Sequence, residues 1–331
     1  MATNPGSYVE IEFTSDDHRF RRFFVCFGAS LIGFETGCRP LLFLDGTFLE
    51  SKYQGILLSI IAKNGDEGFF PLAFSVVDQE TKDNWTWTLT CLKKIISADR
   101  TITFISDRGK GLMLAIPGVF PTSHHSYCLR HLKMNFREAI AGKFSITIRK
   151  KLLQLLDAAA YGLRIEDYTR ALAHMHGYSE QAAKWVEDSD PNHWANALFS
   201  GERYGEMYSN CAESFNSWIL EARNLPIVQM VDHIRVQMME MMYRRHNESS
   251  NWETFLCPSI MEKLQKIQAD SRGLQVRCSF EVRGRRNEAV NLIERTCTCR
   301  RWQVYGLPCV HACAAVWKIN GSIHEYCSHY F

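Results

Sequence analysis

Leu41-Leu42-Phe43-Leu44-Asp45-Gly46 is an unbroken apolar run that ends on a carboxylate and a turn signal. Apolar residues without alternation read as a strand buried on both faces, as in the middle of an α/β sheet. Two similar runs follow, Gly55 to Ala62 closed by Lys63-Asn64-Gly65-Asp66, and Phe69 to Val77 closed by polar residues. Asn64-Gly65 between them predicts a hairpin-like reversal. Trp85 to Ser97 places Leu89, Leu92, Ile95 and Ile96 on one helical face. Thr101 to Ser106 is a fourth strand ending at Asp107, a helix from Gly109 stops at Pro117-Gly118, and His124 to Cys128 is a short fifth strand. The order βββαβαβ predicts an α/β fold.

Outward from this core the pattern changes on both sides. The first forty residues, with Arg19, Arg21, Arg22 and Phe23 to Phe27, read as a short lead-in. From Leu129 to about Ala197 the period is helical, with Leu152, Leu153, Leu155, Leu156, Ala159 and Ala160 in one amphipathic stretch. Further helices are expected near 207–223, 227–246 and 259–272, and a boundary near 270. Between Arg272 and Arg301 there are eight Arg, no Lys and three acids. Arg283, Arg285, Arg286, Arg300 and Arg301 are therefore DNA-contact candidates, because guanidinium groups suit phosphates; the competing reading is a solvated surface.

Composition bounds the function. The chain has 331 residues, 46% hydrophobic and 22% charged, enough for two or three packed units and too apolar for a disordered protein. No window approaches the roughly 18 apolar residues of a membrane span. The first thirteen residues hold no apolar core of a secretory signal, so the expected compartment is reducing, where the 12 Cys serve as core, metal ligands or catalysts. A net charge of +2 gives no argument for nucleic acid, which would need a local patch.

Cys297-Thr-Cys299 and Cys309-Val-His311 form a C-x-C…C-x-H constellation. Ligands at i and i+2 share one face of a strand, so each pair presents two donors to one ion, and three thiolates with an imidazole make the closed set of structural zinc. Gly306-Leu307-Pro308 is expected to turn the second pair toward the first. Reduced cysteines clustered in a core are the competing reading. The spacing resembles the SWIM-type zinc finger, which implies Zn²⁺ as cofactor and DNA or protein as partner.

Asp45 and Asp107 end the first and fourth strands, which this order allows to lie side by side. Two close carboxylates repel unless a cation intervenes, and Mg²⁺ or Mn²⁺ suits oxygen ligands. A third carboxylate on a later helix would complete a two-ion site. Each Asp alone reads equally as a strand-end turn or helix cap. Asp78 and Asp83 read as turn residues, and Trp85, Trp87 and Trp218 as core.

Leu44-Asp45-Gly46-Thr47-Phe48, Phe70-Pro71-Leu72-Ala73-Phe74, Asp83-Asn84-Trp85-Thr86-Trp87, Ile105-Ser106-Asp107-Arg108-Gly109-Lys110-Gly111 and His124-His125-Ser126-Tyr127-Cys128-Leu129-Arg130-His131-Leu132 together resemble Mutator-like element (MULE) transposases of plants. His193-Trp194-Ala195-Asn196-Ala197, Ser209-Asn210-Cys211-Ala212-Glu213-Ser214-Phe215-Asn216 and Leu225-Pro226-Ile227 continue the likeness, on the side of the branch that includes the domesticated MUSTANG proteins. The resemblance implies an RNase H-like mixed sheet with an Asp-Asp-Glu triad interrupted by a helical insertion. Asp45, Asp107 and Glu213 are the triad it implies, with Mg²⁺ or Mn²⁺ as cofactor. On residues alone Glu213 is an ordinary helix glutamate, and Glu202 and Glu206 rank below it. Cys128 and His131 are accessory candidates, as metal ligands or as buried residues beside the site. The expected division is a lead-in at 1–39, core at 40–135, helical insertion at 136–205, completing helices at 206–272 and the finger region at 273–331.

Two functions compete. The first is a metal-dependent DNA strand-transferase in the nucleus. The second is a domesticated, catalytically silent regulator binding DNA or protein. The short lead-in, without a separate DNA-binding finger, favours a fragment, a short gene product or the regulator.

Overall fold

The computed structural model describes residues 4–14, 19–50, 54–277, 280–284 and 286–331. In chain order the elements are β1 (Tyr8–Phe13), β2 (Phe20–Cys26), α1 (Gly28–Gly37), β3 (Cys38–Leu49), β4 (Gly55–Asn64), β5 (Phe69–Val77), α2 (Lys82–Lys93), β6 (Thr103–Ser106), α3 (Lys110–Val119) and β7 (His124–Tyr127). Helices α4 (Leu129–Ile140), α5 (Ile146–Tyr161), α6 (Ile165–Tyr178) and α7 (Glu180–Glu187) follow, then α8 (Asn210–Trp218), α9 (Ile227–Ser249) and α10 (Pro258–Ser271). Last come β8 (Gln275–Val276), β9 (Glu281–Arg283), β10 (Glu288–Asn291), β11 (Thr296–Cys297), α11 (Arg301–Tyr305) and α12 (Val310–Lys318).

These elements form a mixed α/β architecture in two units. One comprises Met1–His125, Ser209–Glu253 and Tyr330, the other Ser126–Tyr208, Thr254–His329 and Phe331. The grouping departs from the division expected from sequence. The lead-in belongs with the sheet, and the helical insertion groups with the finger region.

The first unit is built on a sheet of order β1-β2-β5-β4-β3-β6-β7. β3 lies inside it, antiparallel to β4 and parallel to β6, with Leu41, Leu42, Phe43 and Leu44 at 0–1% exposure. The lead-in residues contribute β1 and β2, a hairpin that joins the sheet through β5. The β4–β5 reversal forms as expected, but its left-handed residue is Glu67 (φ 66), with Gly68 N–H donating to Asn64 Oδ1 at 2.7 Å. Helix α2 starts earlier than its apolar face suggests because Thr81 caps it, accepting from Asn84 N–H at 3.3 Å. Helix α3 runs through Pro117 to Val119, since a proline in the last turn forfeits one hydrogen bond without ending the helix.

In the second unit, α5 and α7 begin at Ser145 and Ser179, whose hydroxyls accept from Ile148 and Ala182 N–H. Arg203, in the segment between α7 and α8, is buried at 3% exposure. Its guanidinium donates to Ser126 Oγ at 2.9 Å, to the Trp194 carbonyl at 3.0 Å and to Asn196 Oδ1, and lies over the Phe199 ring. Burial lowers its pKa to about 10, yet it remains charged at neutral pH. The C-terminal part packs α12 against α10 and against a small sheet of order β11-β10-β9-β8. Among the described residues no helix is long and apolar enough to cross a membrane.

Arg203→Met removes the donor from three buried acceptors, each costing about 1–3 kcal/mol when unsatisfied. The urea midpoint of the second unit should drop clearly, while exposed Arg137→Met should stay within about 0.5 kcal/mol of the parent.

Candidate metal centre and carboxylate end of the sheet

Cys297, Cys299, Cys309 and His311 come together, each offering one ligand atom, with all four atoms within 4.8 Å of one another. The first pair is not presented by a strand, as its spacing predicts. β11 ends at Cys297, and Arg300 in the left-handed region (φ 60) folds the chain back, its N–H donating to the Cys297 carbonyl at 2.8 Å. The second pair sits at a helix start: Cys309 is the N-cap of α12, its sulfur accepting from Ala312 N–H at 3.4 Å, with His311 in the first turn. Gly306 (φ 70) closes α11 and supplies the expected turn. Gln303, which sequence reading passed over, clamps Cys297 by accepting its N–H and donating to its carbonyl. The tryptophan of this core is Trp302, at 3% exposure, while Trp317 on α12 is 37% exposed.

The donor set fits one tetrahedral ion. Bond lengths of about 2.3 Å to sulfur and 2.0–2.1 Å to nitrogen imply S···N edges of about 3.6 Å. His311 Nδ1 lies 3.7 Å from Cys297 Sγ and 3.8 Å from Cys309 Sγ. Protonation leans the same way. Hydrogen bonds from Cys297 and Cys309 hold the Cys299 thiol far below its usual value, while donation to Cys299 pushes Cys297 up. Burial opposes charge on His311, but its hydrogen bonds to Cys299 and Cys309 outweigh that and raise it to about 9.

The carboxylates lie in the first unit. The parallel register pairs Leu41 with Thr103 and Phe43 with Ile105; Asp45 lies two residues beyond the last paired residue of β3 and Asp107 directly follows β6, both toward the same end of the sheet. Asp107 Oδ1 accepts Gly109 N–H at 2.9 Å ahead of α3, and Asp45 Oδ2 accepts Asn216 Nδ2 at 2.8 Å from α8. Glu213 is on α8, one turn before Asn216. Among the described residues the Cys3His set is the one group of three or more potential ligands gathered for an ion; Asp45, Asp107 and Glu213 do not form another.

Sequence reading also missed Glu80. Its carboxylate accepts Trp85 Nε1 at 3.0 Å and leans over Gly46, where a Cβ would stand 2.6 Å from Oε2. Burial of that carboxyl end raises its pKa, Trp85 opposes, and the charge of Asp107 adds to the rise. Ser106, also unremarked, bonds His125 Nε2 at 2.8 Å and the Asp107 carbonyl at 2.8 Å, pinning the end of β6.

The other candidates separate. Cys128 is fully buried at the N-cap of α4, and neither it nor His131 belongs to a metal cluster among the described residues. Arg283, Arg286 and Arg301 are exposed; Arg300 is half-buried and donates to the Ala197 carbonyl at 2.8 Å; Arg285 lies outside the described residues.

Against family models, residues 41–135 match the MULE transposase domain and residues 275–320 match the SWIM zinc finger. A MULE transposase domain and a SWIM zinc finger are present in this chain. The chain is also similar to "Protein FAR1-RELATED SEQUENCE 6" of Arabidopsis thaliana, 19% identical over 252 residues. That match covers 73% of this chain and 33% of the relative, so it spans about a third of the relative's length. The MULE match includes Asp45 and Asp107 but not Glu213, and the SWIM match includes all four Cys and His donors.

Metal-loaded protein should carry one ion per chain in native mass spectrometry, and Cys299→Ser should lose it. Metal affinity should weaken as pH falls from about 9 toward 6.5, because His311 must shed its proton before Nδ1 can ligate. Full occupancy in Cys299→Ser would remove Cys299 from the ligand set.

Proposed function

We propose that the chain is a transposase-derived, catalytically silent module that binds DNA or protein in the nucleus and acts in transcriptional regulation. The observation that carries this reading is the contrast between the two sites. The Cys and His donors gather to the dimensions of one Zn²⁺, whereas Asp45, Asp107 and Glu213 do not gather for an ion and Asp45 is bonded to the Asn216 amide. In this reading Zn²⁺ fixes the finger, and Arg283, Arg286 and Arg301 give it an exposed basic surface. The strand order β5-β4-β3-β6-β7, three antiparallel strands followed by one parallel to β3, supports an RNase H-like core kept as scaffold.

A second reading has its own support. Asp45 and Asp107 share one end of the sheet, and α8 carries Glu213 one turn from the residue that touches Asp45. A movement of α8 that brought Glu213 to the two aspartates would complete a site for Mg²⁺ or Mn²⁺, which would stabilise charge in an in-line phosphoryl transfer.

The two readings part on one experiment. In the silent reading Mn²⁺ leaves the thermal midpoint of the parent and of Asp107→Asn alike, and neither nicks transposon-end DNA. A Mn²⁺-induced rise with nicking, both lost in Asp107→Asn, would establish the catalytic reading instead.

DNA affinity should fall steeply with salt. Neutralising Arg283, Arg286 and Arg301 together should flatten the log–log slope by roughly 2–3 units. An unchanged slope would remove this surface from DNA binding.

A further inference from the structure

Beside the metal centre, within the second unit, α10 and the α11–α12 connection enclose a groove of about 290 Å³. Its floor is aliphatic. Leu307 is buried in the cluster beneath it, Ile267 packs on that cluster, and Pro308 and Val310 complete the wall next to Cys309. Its rim is basic. Lys263 and Lys266 stand one turn apart on α10, Arg301 faces them from α11, and all three are exposed. Asp270 is the one carboxylate in the lining.

We infer that this groove docks an acidic peptide segment of a partner protein, with one bulky apolar side chain in the slot and flanking carboxylates on the rim. The inference rests on the binding-module reading and names a partner class for it. The volume lies at the lower edge of the roughly 300–1,000 Å³ of small-molecule sites, room for a single large side chain. An apolar anchor with a complementary charged rim is the ordinary anatomy of peptide recognition. Nucleic acid fits less well. Single strands need free aromatic faces for stacking, and the Tyr305 ring in this wall is already packed over Gly205, where a Cβ would meet it at 2.5 Å. The floor borders Cys309, so the metal that orders the ligands also shapes the slot.

The test uses the full chain loaded with zinc and a fluorescein-labelled peptide of Asp and Glu around a central Leu-Phe pair, read by anisotropy. Binding is expected, weakened by salt and lost when Leu-Phe is replaced by Ala-Ala. Lys266→Glu with Arg301→Glu should reduce affinity about tenfold or more, while Lys150→Glu with Lys151→Glu on α5 should not change it. Both pairs are exposed, and circular dichroism with zinc content verifies folding. Unchanged affinity in the groove variant, equal binding of the Ala-Ala peptide, or displacement of the peptide by duplex DNA would each overturn the inference. Mn²⁺-dependent nicking is scored on the same preparation. Nicking with peptide capture intact overturns the silent reading alone, and loss of capture without nicking overturns the groove alone.

Discussion

Parallel pairing of β3 with β6 is the constraint on which the first unit depends. A parallel pair cannot close through a tight turn, so the chain between the strands must leave the sheet and return. That detour supplies β4, β5 and α2. Both faces of β3 must also be covered, and Leu41 to Leu44 are accordingly withdrawn from water. Once the register is set, the two strands run out toward the same end of the sheet, the end at which Asp45 and Asp107 stand. Glu80 and Asn216 then approach a position already fixed by the backbone.

The second unit solves a different problem. Its small sheet has strands of two to four residues, too short to hold together through pairing alone. A metal ion held by the four donors would join β11 to α12 and add folding free energy to that of the small apolar cluster beneath the sheet. Elsewhere in the unit, buried polar links do comparable work. Glu288, 4% exposed, accepts from Arg164 and from Thr298 Oγ1, joining the residue ahead of α6 to β10 and to the ligand loop.

Much of this was legible in the sequence wherever the signal was local. Apolar runs located β3, β4, β5 and β6, and ligand spacing located the four donors of the metal centre. The strand reading of Cys297-Thr-Cys299 failed because nothing in the residue types marks Arg300 as left-handed; that conformation is imposed by the turn into α11. The hairpin of β1 and β2 was missed because β1, the edge strand, is half-buried or exposed throughout and alternates acids with apolar residues, and β2 opens on exposed Phe20 and Arg21. Glu80 and Asn216 were hidden for another reason. Their importance comes from what lies across the fold, and a pattern along the chain does not carry that.

The interleaving of the two units bears on how the protein is made. Residues up to His125 leave the ribosome with β3 to β6 able to pair, but α8, which bonds Asp45, follows only after the whole of Ser126–Tyr208. At roughly 5–20 residues per second the nascent sheet waits several seconds with that end uncovered. The second unit waits as well, since Thr254–His329 must follow Ser209–Glu253. Each half therefore matures around a gap filled later, and during synthesis the chain displays apolar strand surface that chaperones are built to hold.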